Sequence, residues 1–209
     1  MRIRIIALVG TVAVLASCLS DEKKFGYSVG YGRSYPEKIA LKMPGNAPSI
    51  TQQYRNTLDH GKVGDTSAHL GIDIHADIGT PVIAAADGVV LRSYWGPAYG
   101  NQIEILHAPD SSGKSSRTRY VHLDKRLVKV GAQVQRGGEI GHLGITGFLS
   151  SGFPHLHFEV LFRGTSIFGS ATDPHKFWAK GPGQITCFGP EWNGLSTDEF
   201  KITYPVGCK

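Results

Sequence analysis

Three stretches of the chain hold residues whose types and spacing could do chemistry. In Phe153-Pro154-His155-Leu156-His157-Phe158-Glu159-Val160, two histidines stand one residue apart in an apolar, β-prone run. A strand's period of two puts both imidazoles on one face, about 6–7 Å apart along the backbone, and turns Leu156, Phe158 and Val160 into a core. Upstream, Ser67-Ala68-His69-Leu70-Gly71-Ile72-Asp73-Ile74-His75 offers an imidazole and a carboxylate four residues apart. Gly71 and the β-branched Ile72 and Ile74 argue against a helix there. A straight strand would separate His69 from Asp73 by about 13 Å, so the chain is expected to bend at Gly71, the residue best able to adopt an unusual backbone conformation. His69, Asp73 and one imidazole of the later strand would then supply two nitrogens and one oxygen, the ligand set of an open zinc site whose fourth position holds water. The residues alone leave open which of His155 and His157 binds. In Arg117-Thr118-Arg119-Tyr120-Val121-His122-Leu123, alternation places Thr118, Tyr120 and His122 on one face, with His122 a third imidazole at a strand end.

The elements that must position these groups read as strands. Thr80 to Ala86, Gly88 to Tyr94, Gln102 to His107, Arg117 to His122 and Gly138 to Leu143 are short β-prone runs separated by Gly, Pro, Asn, Asp or Ser. No convincing helical stretch lies between them, and 27 glycines suit a turn-rich chain, so the expected fold is all-β, an antiparallel sandwich or barrel. The domain is expected over residues 48–180, opening with a strand near Ser49 to Tyr54. Thr172 to Trp178 reads as a turn with an aromatic lid, and residues 181–209 as a separate C-terminal tail whose Trp192 and Tyr204 pack on the domain. Before the domain, residues 18–47 are polar and glycine-rich with no surviving period, which suggests a tether or loosely packed arm.

Met1 to Ser17 has the form of an export signal: Arg2 and Arg4, an apolar run from Ile5, then small residues. Losing those arginines lowers the formal net charge from +5 to +3. So small a balance predicts at most a mild attraction to anionic polymers, and with no dense basic patch no nucleic-acid partner is expected. Leu15-Ala16-Ser17-Cys18 resembles a lipoprotein lipobox, which makes Cys18 the expected lipidation site and the membrane a partner through that anchor. Acylating Cys18 leaves Cys187 and Cys208 as an even pair in an oxidising compartment, able to form a disulfide or to remain as thiols.

Taken together, His69-x-x-x-Asp73, Gly79-Thr80-Pro81-Val82, Ala85-Ala86-Asp87-Gly88, Tyr120-Val121-His122-Leu123 and His155-Leu156-His157-Phe158-Glu159-Val160 resemble the lysostaphin/LytM-type zinc peptidases of bacterial cell walls. The resemblance covers roughly Ile50 to Trp178. It implies that His69, Asp73 and His157 bind one Zn2+ per chain, with His122 and His155 as the acid-base pair beside it, and that the substrate is a peptide cross-bridge or stem peptide of peptidoglycan. Without an H-E-x-x-H helix, a histidine must be the base that serves the zinc-activated water, and the sequence does not divide that role between His122 and His155. Glu159 shares the face of the HxH histidines and either orients a ligand or meets solvent or backbone as an ordinary strand residue, the second being the expectation. His107 reads as structural, His60 and His175 as domain-edge residues; His75 and His142 are dispensable to the motif, and Asp77 and Asp87 are turn residues that would serve only if the Asp73 loop folded otherwise. The alternative to an enzyme is a non-catalytic LytM-like activator or binding module regulating a wall amidase. Such relatives typically lack some ligands, whereas all five positions are filled here. The expected location is the cell envelope, exported and lipid-anchored, in the outer membrane where there are two membranes, because Leu19 follows Cys18.

Overall fold

The computed structural model describes residues 22–29 (backbone only), 38–55, 69–162, 170–195 and 198–209. The expected leader, Cys18 and His60 lie outside them. Twelve strands run in chain order: β1 (Glu22–Val29), β2 (Lys38–Pro44), β3 (Ile50–Gln52), β4 (Ile72–Ile74), β5 (Pro81–Ile83), β6 (Gly88–Gly96), β7 (Gly100–Leu106), β8 (Ser116–Arg126), β9 (Gln133–Val134), β10 (Glu139–Leu143), β11 (Leu156–Phe162) and β12 (Ser170–Thr172). Among the described residues the helical pieces are short 3-10 turns, and no helix is long and apolar enough to cross a membrane.

Ten strands form one sheet with the spine β3-β4-β11-β8-β7-β6-β9, and β1-β2 is a separate ribbon. Every pairing between these strands is antiparallel. The all-β antiparallel expectation is met. β8 is the longest strand and stands at the centre, pairing with β7, β10 and β11, so residues of β8 and β11 face each other at the middle of the sheet.

The core lies on one face. Leu156, Phe158 and Val160 of β11 are fully buried, as their alternation requires, and the Phe158 ring lies 5.3 Å from that of Tyr120. Trp178 is not a lid: it is wholly buried, with its ring 5.9 Å from Tyr204. Residues 181–209 are no separate tail in packing, since Ile185, Ile202, Tyr204 and Val206 belong to the same core. Their backbone is stitched in as well, with Ile83 N donating to Pro205 O and Thr203 N to Ala85 O, both at 2.9 Å. Each large apolar side chain so buried contributes roughly 2 kcal/mol, which is why the sheet face and the C-terminal segment stay together. The arm before the domain likewise joins the core through Leu41 and Met43 of β2. Cys187 and Cys208 are joined in a disulfide, with Cα atoms 5.9 Å apart. A bridge closing about 20 residues contributes roughly 3 kcal/mol in the chain-entropy account.

Candidate active site

Asp73 sits in the middle of β4 between Ile72 and Ile74, with His157 of β11 as its register partner. His69 reaches the same point because the chain pairs briefly with Arg55, by mutual backbone hydrogen bonds of 2.8 Å, and then bends at Gly71 before entering β4. Gly71 is needed for space and not, as expected, for an unusual φ. Its φ is not positive, but a Cβ there would collide with the Phe158 carbonyl.

The three atoms that could hold a metal crowd together. His69 Nε2 lies 3.0 Å from Asp73 Oδ1 and 3.1 Å from His157 Nδ1, and His157 Nδ1 lies 2.8 Å from Asp73 Oδ1. The far nitrogen of each ring is committed: His69 Nδ1 donates to Gln53 O at 2.7 Å and His157 Nε2 donates to Glu159 Oε1 at 3.1 Å. Both acceptors are acceptor-only, so each ring keeps a proton on its outer nitrogen, and the inner nitrogen, facing Asp73, is the one at which a metal would take the place of a proton.

His122 arrives by a different device. Alternation would set it beside Tyr120, facing the core, but β8 bulges where Tyr120 and Leu123 are spanned by Ile103 and Asn101 of β7, and His122 has φ of 63°. The bulge turns its ring to the other face, 4.8 Å from the His155 ring and 6.3 Å from that of His157. The shared face expected for Thr118, Tyr120 and His122 is thereby corrected. A left-handed backbone in a non-glycine residue carries strain, and here it sits where a side chain is re-aimed. His122 Nδ1 donates to Thr146 O and His155 Nδ1 to Phe153 O, both at 2.8 Å, which leaves each Nε2 as the acceptor.

Burial lowers the His122 pKa to about 4 against the opposing Thr146 hydrogen bond, so the ring is neutral at pH 7. Burial would also lower His157, but hydrogen bonds to Asp73 and Glu159 raise it to about 9. Burial opposes ionisation of Asp73 too, yet its bonds to His157 and His69 hold it well below the usual carboxylate range. All five groups line a groove of about 220 Å3 with Tyr99, Leu70 and Leu149.

The model of peptidase family M23 matches residues 67–168, a span that includes all five groups. The solved structure of LytU is 31% identical, with a TM-score of 0.51, and the match covers 66% of this chain and 88% of that one. The chain belongs to peptidase family M23. A zinc-containing peptidase from Vibrio cholerae is 36% identical with a TM-score of 0.50, over 61% of this chain and 38% of that one. Peptidoglycan DD-endopeptidase ShyC of Vibrio cholerae is 35% identical over 148 residues, which is 71% of this chain and 32% of ShyC. The chain spans about a third or less of the length of the curated relatives it matches first.

Membership of M23 implies a metal ion, and the donors fit one. His69, Asp73 and His157 hold ligand atoms within 4.8 Å of one another. Two inward nitrogens held 2.8–3.0 Å from one carboxylate oxygen need positive charge between them, which a bound cation would supply in place of protons.

Other polar residues of the M23 domain fall outside this cluster or support it. Glu159 is buried and bonded to both His157 and Arg119, contrary to the expected contact with solvent or backbone. Arg119, and the carbonyls of Gln53 and Thr146 that orient His69 and His122, had no sequence signal, because they depend on register and loop closure. His75 donates to Pro154 O and stacks on Phe153, away from the ligands. His142 pairs with Glu139. Asp87 accepts from Arg136 N at 2.7 Å, and Asp77 O receives Thr80 N in a turn. His175 is not at an edge: it is wholly buried. A larger hollow of about 1050 Å3 beside Val89, Leu106 and Val134 includes His107, whose two ring nitrogens are both bonded within the protein.

Proposed function

We propose that this chain is a zinc-dependent endopeptidase that hydrolyses peptide bonds in peptidoglycan cross-bridges or stem peptides. The observation that carries the reading is the convergence of two outward-tethered imidazoles and one carboxylate on a point flanked by a second, separately tethered histidine pair. His69, Asp73 and His157 would hold the ion, whose chemistry is that of a Lewis acid that polarises the scissile carbonyl and acidifies a water.

The chain's own residues move the proton. His122 and His155 each present Nε2 as an acceptor to the groove, and burial keeps His122 neutral at pH 7. One of these nitrogens takes the proton from the attacking water. The imidazolium N–H so formed then donates to the departing amine, which leaves as a neutral group, and the histidine returns to its starting state. Before it passes its proton on, that same imidazolium N–H is the donor placed to stabilise the developing oxyanion, while the neutral Nε2 of the other ring accepts from the water's second hydrogen. Leu70, Tyr99 and Leu149 give the groove apolar and aromatic walls against which a peptide can lie.

The peptidoglycan substrate is supported by the name borne by ShyC, and zinc by the donor set together with the Vibrio cholerae peptidase. Export with a lipid on Cys18, and so a place at the envelope membrane, is supported by the lipobox-like Leu15 to Cys18. The test is digestion of purified peptidoglycan, with chelator-treated and His155→Ala protein beside it and mass analysis of the fragments. New peptide termini that vanish in both controls are expected. Bound zinc without cleavage of any wall type would instead favour the non-catalytic amidase activator.

A further inference from the structure

We infer that Glu159 is a positioning residue: its carboxylate, anchored by Arg119, fixes the ring of His157 so that Nδ1 is delivered to the metal. The inference rests on the reading of His157 as a metal ligand. Glu159 follows His157 by two residues on β11 and shares its face, and Arg119 is its register partner on β8. Because a carboxylate can only accept, the 3.1 Å contact keeps a proton on His157 Nε2, so Nδ1, 2.8 Å from Asp73 Oδ1, is the nitrogen whose proton a metal would replace.

Glu159 is itself held. Arg119 donates to its Oε2 at 3.2 Å, and the same guanidinium donates through Nε and Nη2 to Gln102 Oε1 at 3.2 and 2.9 Å. The guanidinium also lies 4.4 Å from the centroid of the Tyr99 ring. The row continues across the sheet, for Glu104 of β7 is the partner of Arg119 and Arg92 of β6 the partner of Glu104, giving acid, base, acid, base on four strands. The Glu159 side chain is 2% exposed, so it has no route to swing into solvent.

Folding does not by itself call for a carboxylate there. A buried ion pair is commonly no more stabilising than an apolar pair of the same volume. What an apolar pair would lack is the acceptor that selects one His157 tautomer, stops the ring from turning and raises its basicity as a ligand.

The experiment measures zinc affinity of the full chain by competition with a chromophoric chelator. Wild type, Glu159→Gln and Arg119→Met are compared, with unfolding midpoints of the metal-free proteins as the check on folding. Glu159→Gln is expected to bind zinc about 10–100-fold more weakly, and Arg119→Met, which leaves the carboxylate unanchored, to fall between it and wild type. In the cobalt(II)-loaded protein, proton NMR should show a hyperfine-shifted, slowly exchanging Nε2–H of His157 that is lost to fast exchange in Glu159→Gln, where the amide oxygen is drawn to the donor-only Arg119 and leaves the NH2, a donor, facing the ring. A residue that merely supports the sheet would not move that signal. If Glu159→Gln does not fold, Arg119→Met decides by the same two readouts. Folded variants that bind zinc within twofold of wild type and keep the slow proton would overturn the inference. Wild type that binds no zinc at all would instead remove the metal reading on which it rests.

Discussion

Two groups of histidines in this molecule are buried to nearly the same degree and do opposite things. His122, His155 and His157 are 2–7% exposed, and His107 and His175 are 3% and 0% exposed. The His122, His107 and His175 pKa values are all lowered to about 4 by burial, so burial does not separate the groups and basicity does not set His122 apart from the structural pair. The difference is what holds the second nitrogen. His107 is bonded to Asp87 O through Nδ1 and to the Thr118 hydroxyl through Nε2, while His175 receives the Trp178 indole N–H at Nδ1 and donates from Nε2 to Gln53 Oε1. Each site histidine spends one nitrogen on the scaffold and turns the other to the groove. A histidine tethered at one end is available for chemistry; one tethered at both ends is a polar core residue.

The sharpest break of that comparison is at the proposed metal ligands. Asp73→Ala should abolish stoichiometric zinc binding and lower peptide release on the order of 10³-fold or more, and a variant retaining a tenth of the activity would put Asp73 outside the site. His155→Ala should cost about 10²–10⁴-fold in rate while leaving zinc binding in place, as a metal assay on the same sample would show. On the other side of the comparison, His175→Ala should leave the Trp178 and Gln53 groups unpaired and lower unfolding free energy by about 2–4 kcal/mol in urea titration. A change of under half that size would mean the two-ended tether is not a structural device.

One part of the pH dependence of stability follows from the same pair. His107 and His175 take up protons near 6.5 when unfolded but only near 4 when folded, so the unfolded state binds more protons between those values. Their contribution is complete above about pH 6.5 and declines as pH falls toward 4, by an amount on the order of 3 kcal/mol for each at most. Denaturant midpoints at pH 7, 5.5 and 4.5 should therefore fall, with a shallower slope in His107→Gln. The smallest effect is expected at His75, whose bond to Pro154 O and stacking on Phe153 are local. His75→Ala should cost about 1 kcal/mol and leave zinc affinity unchanged by titration.

Much of this arrangement can be read from residue order, and the rest fails for identifiable reasons. Period-two alternation is a local property, so it correctly buried Leu156, Phe158 and Val160 and put His155, His157 and Glu159 on the opposite face. The same rule misplaces His122, because a bulge is a shift of register between two strands, which the residues of β8 alone do not state. The Arg119 anchor depends on cross-strand register, which a single sequence does not state. The C-terminal segment did carry a signal: Ile202, Tyr204 and Val206 alternate and are all fully buried, but glycine and proline nearby make the run look like a loose tail. His175 gave no such signal, since the Gln53 and Trp178 groups that bury it come together only in the fold.

The most direct test of the central claim is a zinc titration of metal-free protein, following release of peptide termini from purified peptidoglycan at each addition. The account predicts that activity rises in step with occupancy of one site per chain and saturates there, while His155→Ala fills the same site and stays inactive. Cleavage by the metal-free protein, or full activity in zinc-loaded His155→Ala, would contradict it.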